Sequence, residues 1–323
     1  MHINEILAKI SLDESSLLKQ INGGNSLVLK VKQKDESLAA VKIYRGSTAR
    51  ITQMFSRELD AITFLRNHDF TNVPEILDTK PELSLIIFKW FDGLAPINDF
   101  YGIDLITKMC VNLNILHKKF SYHDYAIDYV FSSQDILDQI QNRLNGLLGH
   151  FKPEIGLALR NKFDFNLHMY KLKYPLNHQF TSMTLNISDI GTHNMLVSND
   201  QHIFIDFEFF GQDSIDKMVG DFLLHPKNDF SSSSISYFID NLTKNSTWDI
   251  STLVPLLPLL SLKWSLIAFK RLIKEGLIQG DARLEGDIFK NSLGAKYLLF
   301  FDYLLNSTLN RNLLTFNQFN GTV

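Results

Sequence analysis

A chain of 323 residues with 45% hydrophobic and 21% charged side chains has the composition of a folded globular protein, which excludes a fibrous repeat or a disordered chain and leaves room for two lobes. Its net charge of −3 lacks the footprint of a nucleic-acid binder. The single cysteine, Cys110, rules out an internal disulfide and a zinc site and predicts a small core residue in a protein of a reducing compartment, the cytoplasm.

The opening stretch MHINEILAKISLDE is amphipathic and carries acids, without the apolar run and small-residue cleavage site of a signal peptide. Residues 27–32 and 38–44 are β-prone runs around the polar turn 33–37 and predict a hairpin. A helix follows over 51–67, where Ile51, Met54, Phe55, Ile62 and Leu65 form an apolar stripe. A further short strand, 85–90, ends at the turn signal Asp92-Gly93. The boundary drawn there gives a small β-rich lobe, 1–93, and a larger helical lobe, 94–323.

Within the larger lobe, apolar residues at three- and four-residue intervals predict helices over 105–120, 136–151 and 155–169. Residues 182–210 read as turn, strand, turn, strand, and helix returns after Asp213 except for the polar loop 228–234. The most apolar run, 253–269, contains Pro255, Pro258 and Lys263, and predicts a buried helix pair rather than a membrane span. The predicted class is α+β, with a β-hairpin inserted in the helical lobe.

The chemistry-bearing residues collect around that hairpin. Asp189 lies on a polar loop, Asn194 opens the first strand, and Asp206 ends the second strand, Ile203-Phe204-Ile205-Asp206. Asn194 and Asp206 each lie six residues from position 200, so a tight antiparallel hairpin would set these two oxygen ligands side by side. Such a pair suits magnesium, which takes few protein ligands together with phosphates. Ordinary turn residues, or a buried salt bridge at Asp206, are the alternatives.

In the small lobe, Lys42 interrupts the apolar strand Ala39-Ala40-Val41-Lys42-Ile43-Tyr44, and Glu58 falls within the apolar stripe of the following helix. A carboxylate on a core face needs a cation. Lys42 is the first candidate, with Lys30 and Arg57 competing. The turn Asn22-Gly23-Gly24-Asn25-Ser26 would let backbone amides approach phosphate, or is a plain turn.

This order of parts resembles the aminoglycoside phosphotransferase and choline kinase superfamily, whose fold is that of protein kinases, with a small β-rich lobe and a larger, mainly helical one. The likeness runs from Gly23 through Lys42, Glu58 and the linker-like Phe88-Lys89-Trp90-Phe91-Asp92-Gly93, and its most specific part is 188–226. It implies ATP and magnesium as cofactors. Asp189 would be the catalytic base, Asn194 and Asp206 the metal ligands, and Glu208 matches the acidic position of the family's Ile-Asp-Trp-Glu run. Lys42, oriented by Glu58, would contact phosphate; Gly23, Gly24, Asn25 and Ser26 would cover it, and backbone around Phe88, Lys89 and Trp90 would hold adenine. Ile187-Ser188-Asp189 stands where the family commonly has His-Gly-Asp.

The resemblance implies a small-molecule kinase that moves the γ-phosphate of ATP to a hydroxyl of a sugar, amino sugar or amino alcohol, with no nucleic-acid or membrane partner. A protein kinase is disfavoured because no Ala-Pro-Glu follows Asp206. A nucleotide-binding module without turnover is the alternative, kept open by Ile187. Asp221, in an apolar helix, is expected to brace the catalytic loop. Asp281, Glu285 and Asp287 would attract a cationic acceptor, or form a solvated helix face.

Overall fold

The computed structural model describes residues 2–199, 201–276, 291–306 and 315–320. In chain order, helix α1 (Ile3–Lys9) precedes strands β1 (Leu17–Asn22), β2 (Ser26–Lys32) and β3 (Leu38–Tyr44), helix α2 (Thr48–Asn67), and strands β4 (Ile76–Lys80) and β5 (Leu85–Lys89). Helices α3 (Phe100–Lys119), α4 (Ser133–Leu148) and α5 (Pro153–Lys173) follow, then strands β6 (Met183–Asn186), β7 (Met195–Ser198), β8 (Gln201–Phe204) and β9 (Gly211–Ser214). The remaining described helices are α6 (Ile215–Leu224), α7 (Ser232–Asn245), α8 (Leu253–Lys274), α9 (Leu293–Asn306) and α10 (Phe316–Asn320). The chain forms two compact units, Met1–Pro96 with Thr192–Phe210, and Ile97–Gly191 with Gly211–Val323. The β7–β8 hairpin, which chain order places in the helical lobe, thus groups with the first unit.

The first unit holds an antiparallel sheet of order β1-β2-β3-β5-β4. The predicted hairpin is β2–β3. Strand alternation sends Leu27, Leu29 and Val31 into a core with Ala39, Val41, Leu85 and, from α1, Ile6 and Leu7. Sequence patterning misses β1 and β4 because both are edge strands with little buried surface, and β1 leaves Leu18 and Ile21 exposed. On α2, Met54, Phe55, Glu58, Ala61, Ile62 and Leu65 are buried, so the carboxylate does lie on the core face.

The β7–β8 register pairs Met195 with Phe204 and Ser198 with Gln201. The turn is therefore centred between residues 199 and 200, half a residue from the centre expected from sequence symmetry. Ile205, not Asp206, stands opposite Asn194, and its N–H donates to the Asn194 carbonyl at 2.9 Å. Asn199 takes a left-handed φ of 51°, as a two-residue hairpin turn requires.

In the second unit, β6 pairs antiparallel with β9, and α8 packs against α4, α6 and α9. The expected helix pair is one continuous helix. Pro255 sits in the first turn of α8, where backbone N–H groups have no helical partner, and Pro258 forfeits one bond inside a segment whose flanking leucines are all buried. The span Ile250–Lys274 is long and apolar enough to cross a membrane, but 72% of its apolar window is buried inside the protein, the burial of a core helix. Cys110 is fully buried, as expected of a core residue.

At the start of β9, backbone approaches backbone. A Cβ at Gly211 would overlap main-chain atoms of Tyr125 and Ala126, while Ala126 donates its N–H to the Gln212 carbonyl at 2.9 Å. Main chain cannot yield as a side-chain end can. Gly211→Ala is expected to destabilise the protein by about 3 kcal/mol, seen as a lower denaturation midpoint at unchanged slope.

Candidate active site

The first unit contains a cavity of about 380 Å³, within the range of small-ligand pockets. Val28, Ala40, Phe88, Leu196, Ile203 and Ile205 line it with apolar surface, and Ser26, Lys42, Glu58, Asn194 and Asp206 bring polar groups to the same space. Residues far apart in sequence meet here because β2, β3 and β5 are neighbours in the sheet and the β7–β8 hairpin belongs to the same unit. Phe88, Lys89 and Trp90 also line the cavity; Gly23, Gly24 and Asn25 do not.

Lys42 lies on the opposite face of β3 from Val41 and is 5% exposed. Its Nζ is 2.6 Å from Glu58 Oε2, 2.5 Å from Asp206 Oδ1 and 3.5 Å from Glu208 Oε2. Burial opposes its charge, yet the carboxylates of Asp206, Glu58 and Glu208 hold its ammonium well above the ordinary lysine range. Glu58 is fixed in turn by the Tyr44 hydroxyl, which donates to Oε2 at 2.6 Å, and by the Phe207 N–H at 3.4 Å. Of the cations in contention, Lys42 is the one that Glu58 binds. Lys30 instead sits 4.4 Å above the Trp90 ring.

The donor set fits a divalent cation. Carboxylate oxygens of Glu58, Asp206 and Glu208 lie within 4.8 Å of one another, and one lysine answers three acids. Glu208 is 2% exposed, and its Oε2 accepts no hydrogen bond. Burial, then Asp206, push its carboxyl up to about 7, against the opposing pull of Lys42. A hard cation with oxygen preference would relieve this crowding of negative charge. Asn25 donates to Glu208 Oε1 at 2.9 Å, which ties the β1–β2 turn to the acidic cluster. Asp206 takes a left-handed φ of 71°, a conformation that costs a non-glycine residue about 1 kcal/mol and is retained where geometry is over-determined.

Two amides of the linker are already engaged. Lys89 N–H donates to the Glu75 carbonyl at 2.8 Å and Trp90 N–H to Leu38 at 3.1 Å. The next residue, Phe91, also lines the cavity.

In the second unit, the loop after β6 carries Asp189, 42% exposed at its side chain. Asn186 anchors its start, accepting from Ser188 N–H at 2.9 Å and donating to the buried Asp213 at 3.0 Å. Asn228 anchors its end, donating to the Ile190 carbonyl at 2.8 Å and to Phe222 at 3.0 Å. His225 Nε2 lies 3.3 Å from Asp189 Oδ1. Asp221 makes its polar contacts outside this loop, although Lys217 also pairs with Asp213, which holds Asn186. The partners of Asp221 are Trp264 Nε1 at 2.9 Å, Lys217 at 2.7 Å and Lys263 at 3.5 Å. Burial opposes its ionisation, but the two lysines hold its carboxyl down to about 2. Tyr44, His225 and Asn228 were invisible as site residues because only tertiary packing gives them partners, although His225-Pro226 closes the run of sequence most like the family. Asp281, Glu285 and Asp287 lie outside the described residues.

Ser188 has φ 67°, the left-handed region that glycine enters without steric cost. Ser188→Gly is expected to stabilise the protein by about 1 kcal/mol, raising the melting temperature by about 2 °C. A lower melting temperature would show that the serine side chain outweighs the backbone strain.

No family model and no curated sequence matches the chain. Solved structures do, along nearly its whole length. A choline/ethanolamine kinase family protein from Mesorhizobium loti superposes with a TM-score of 0.60 at 13% identity, covering 99% of this chain and 98% of its own. The choline kinase LicA from Streptococcus pneumoniae gives 0.60 at 13% identity over 94% and 97%. An amicoumacin kinase in complex with AMP-PNP, Ca2+ and Ami gives 0.60 at 13% identity over 98% and 97%. The chain has the protein-kinase-like α+β fold of choline kinase and aminoglycoside phosphotransferase structures, the fold that its motifs imply.

Proposed function

We propose that the chain is an ATP-dependent small-molecule kinase that transfers the γ-phosphate to a hydroxyl of a sugar, amino sugar or amino alcohol. The observation that carries the reading is Lys42, bound by Glu58 at 2.6 Å and by Asp206 at 2.5 Å on the wall of an apolar cavity. A lysine held in this way presents a fixed positive charge to phosphate oxygens. The neighbours support the same reading: the amicoumacin kinase is in complex with the nucleotide analogue AMP-PNP and Ca2+, and an aminoglycoside phosphotransferase is in a ternary complex with streptomycin and ATP.

In this reading the apolar walls hold the base, and Lys42 contacts phosphate. Asn194, Asp206 and Glu208 would hold magnesium, whose chemistry is to neutralise charge on the phosphates. The acceptor oxygen forms a bond to the γ-phosphorus as the bond from that phosphorus to the bridging oxygen breaks. ADP leaves with the electron pair, and the acceptor's proton passes to the Asp189 carboxylate. The buried cysteine and the buried apolar helix are compatible with a cytoplasmic enzyme.

Phosphate transfer from ATP with magnesium, read by product mass against amino sugars, neutral sugars and amino alcohols, tests the proposal. A product of one phosphate's added mass is the expected result and names the acceptor class. Saturable nucleotide binding without a product from any acceptor would favour a module without turnover. No nucleotide binding at all would remove the kinase reading.

A further inference from the structure

The turn between β1 and β2 is fixed by its backbone and reaches the acidic cluster through the side chain of Asn25. Gly23 N–H donates to the Ser26 carbonyl at 2.9 Å, and the Asn25 carbonyl accepts from Arg45 N–H, just past the end of β3, at 2.7 Å. From Ser26 onward the chain is paired with β3, Ser26 standing opposite Tyr44. Asn25 therefore leaves the sheet at a defined place, and its side-chain amide donates to Glu208 Oε1 at 2.9 Å.

The accepting side chain is constrained as well. Phe207 N–H donates to Glu58 Oε1 at 3.4 Å, and Phe210 N–H closes a turn onto the Phe207 carbonyl at 3.0 Å, so the main chain on either side of Glu208 is held. The two oxygens of its buried carboxylate have unlike surroundings. Oε1 takes the Asn25 amide, whereas Oε2 accepts no hydrogen bond and stands 3.5 Å from Lys42 Nζ. Glu58 and Asp206 approach the same ammonium to 2.6 and 2.5 Å. Those two carboxylates are in charge-assisted hydrogen-bond contact with the lysine, and Glu208 is kept outside that range.

We infer that Asn25 is a positioning residue for Glu208: by holding Oε1 it keeps the carboxylate from closing on Lys42 and leaves Oε2 to a divalent cation. The inference rests on Glu208 being a metal ligand, as proposed above. Released by Asn25, the carboxylate has the Lys42 ammonium within reach, and rotation about its side-chain bonds would turn the 3.5 Å approach into a direct ion pair. That pair would take the oxygen a hard cation needs and place a third carboxylate directly on the lysine that contacts phosphate. A hydrogen-bonded partner behind a ligating carboxylate sets which oxygen it offers, and losing such a partner costs metal affinity about 10- to 100-fold.

Calorimetric titration of AMP-PNP into the full chain, once with magnesium and once with a chelator, needs no acceptor substrate. The ratio of the two affinities separates the contribution of the metal from contacts that the turn itself makes with nucleotide. Asn25→Leu keeps the side-chain size and loses the donor, whereas Asn25→Gln keeps an amide donor. Leucine is expected to lower the ratio by about 10-fold, with affinity in chelator and the melting temperature unchanged, and glutamine to restore most of it. A ratio unchanged in Asn25→Leu, or equal losses in the leucine and glutamine variants, would overturn the inference. A fall of equal size with magnesium and with chelator would overturn it too, by assigning Asn25 to the nucleotide rather than to Glu208. In each of these cases the wild-type affinity still depends on magnesium and the metal site stands. A wild-type affinity that is the same in magnesium and in chelator would instead remove Glu208 as a metal ligand, and the inference with it.

Discussion

Asp206→Ala is expected to abolish magnesium-dependent nucleotide binding, weakening it by at least about 100-fold in calorimetric titration. Asp206 is the one acid of its cluster that combines a direct ion pair to Lys42, at 2.5 Å, with a place on the cavity wall and substantial solvent access, 35% at its side chain. Glu58 and Glu208 are each 2% exposed at their side chains and are less accessible to an incoming cation. The substitution leaves Lys42 paired with both of them, so the fold is expected to survive, with no buried charge stranded. Asp206→Asn is the companion variant: asparagine tolerates the left-handed backbone and keeps the shape, so a loss shared by both variants isolates the charge. Affinity for nucleotide that is equal with magnesium and with a chelator in the wild type, or unchanged in both variants, would take Asp206 out of the metal site.

Asp189→Asn is expected to spare nucleotide binding and to lower phosphate transfer by about 100- to 10,000-fold. The side chain is nearly half exposed and belongs to the second unit, whereas every residue lining the cavity belongs to the first. Asparagine preserves the side-chain shape beside His225, but it cannot take the acceptor's proton. Product mass over time measures the loss, and calorimetry measures the retained affinity. Transfer at the wild-type rate would leave the loop without a catalytic role.

Much of this was legible in the chain before folding. Lys42 stood out because a cation in an apolar strand is costly, and Glu58 because a carboxylate on the apolar stripe of a helix requires a partner. That ground made Lys42 the first candidate partner while leaving Lys30 and Arg57 in competition, and the folded chain sets Lys42 Nζ 2.6 Å from Glu58 Oε2. The hairpin bearing Asn194 and Asp206 was recognisable from its alternation and turn residues. Less legible was everything set by geometry finer than a pattern. The register of β7 and β8 depends on a turn of two residues, and a symmetry count about position 200 displaced Asp206 by one place. The left-handed backbone at Ser188 and Asp206 left no trace in residue type, since neither is glycine.

Sequence by itself determined the residue types and the local periodicities: which helices exist, which strand carries the lysine, which helix answers with an acid. These are properties of side chains spaced a few positions apart, and the hydrophobic effect reads them locally. Tertiary structure alone decided that three acids share one lysine, that Tyr44 holds Glu58, that α8 runs unbroken through its prolines, and that His225 faces Asp189. Each of these joins residues from separate elements. The physical reason is that the free energy of a buried polar group depends on its partners, and those are chosen only when distant segments are packed together.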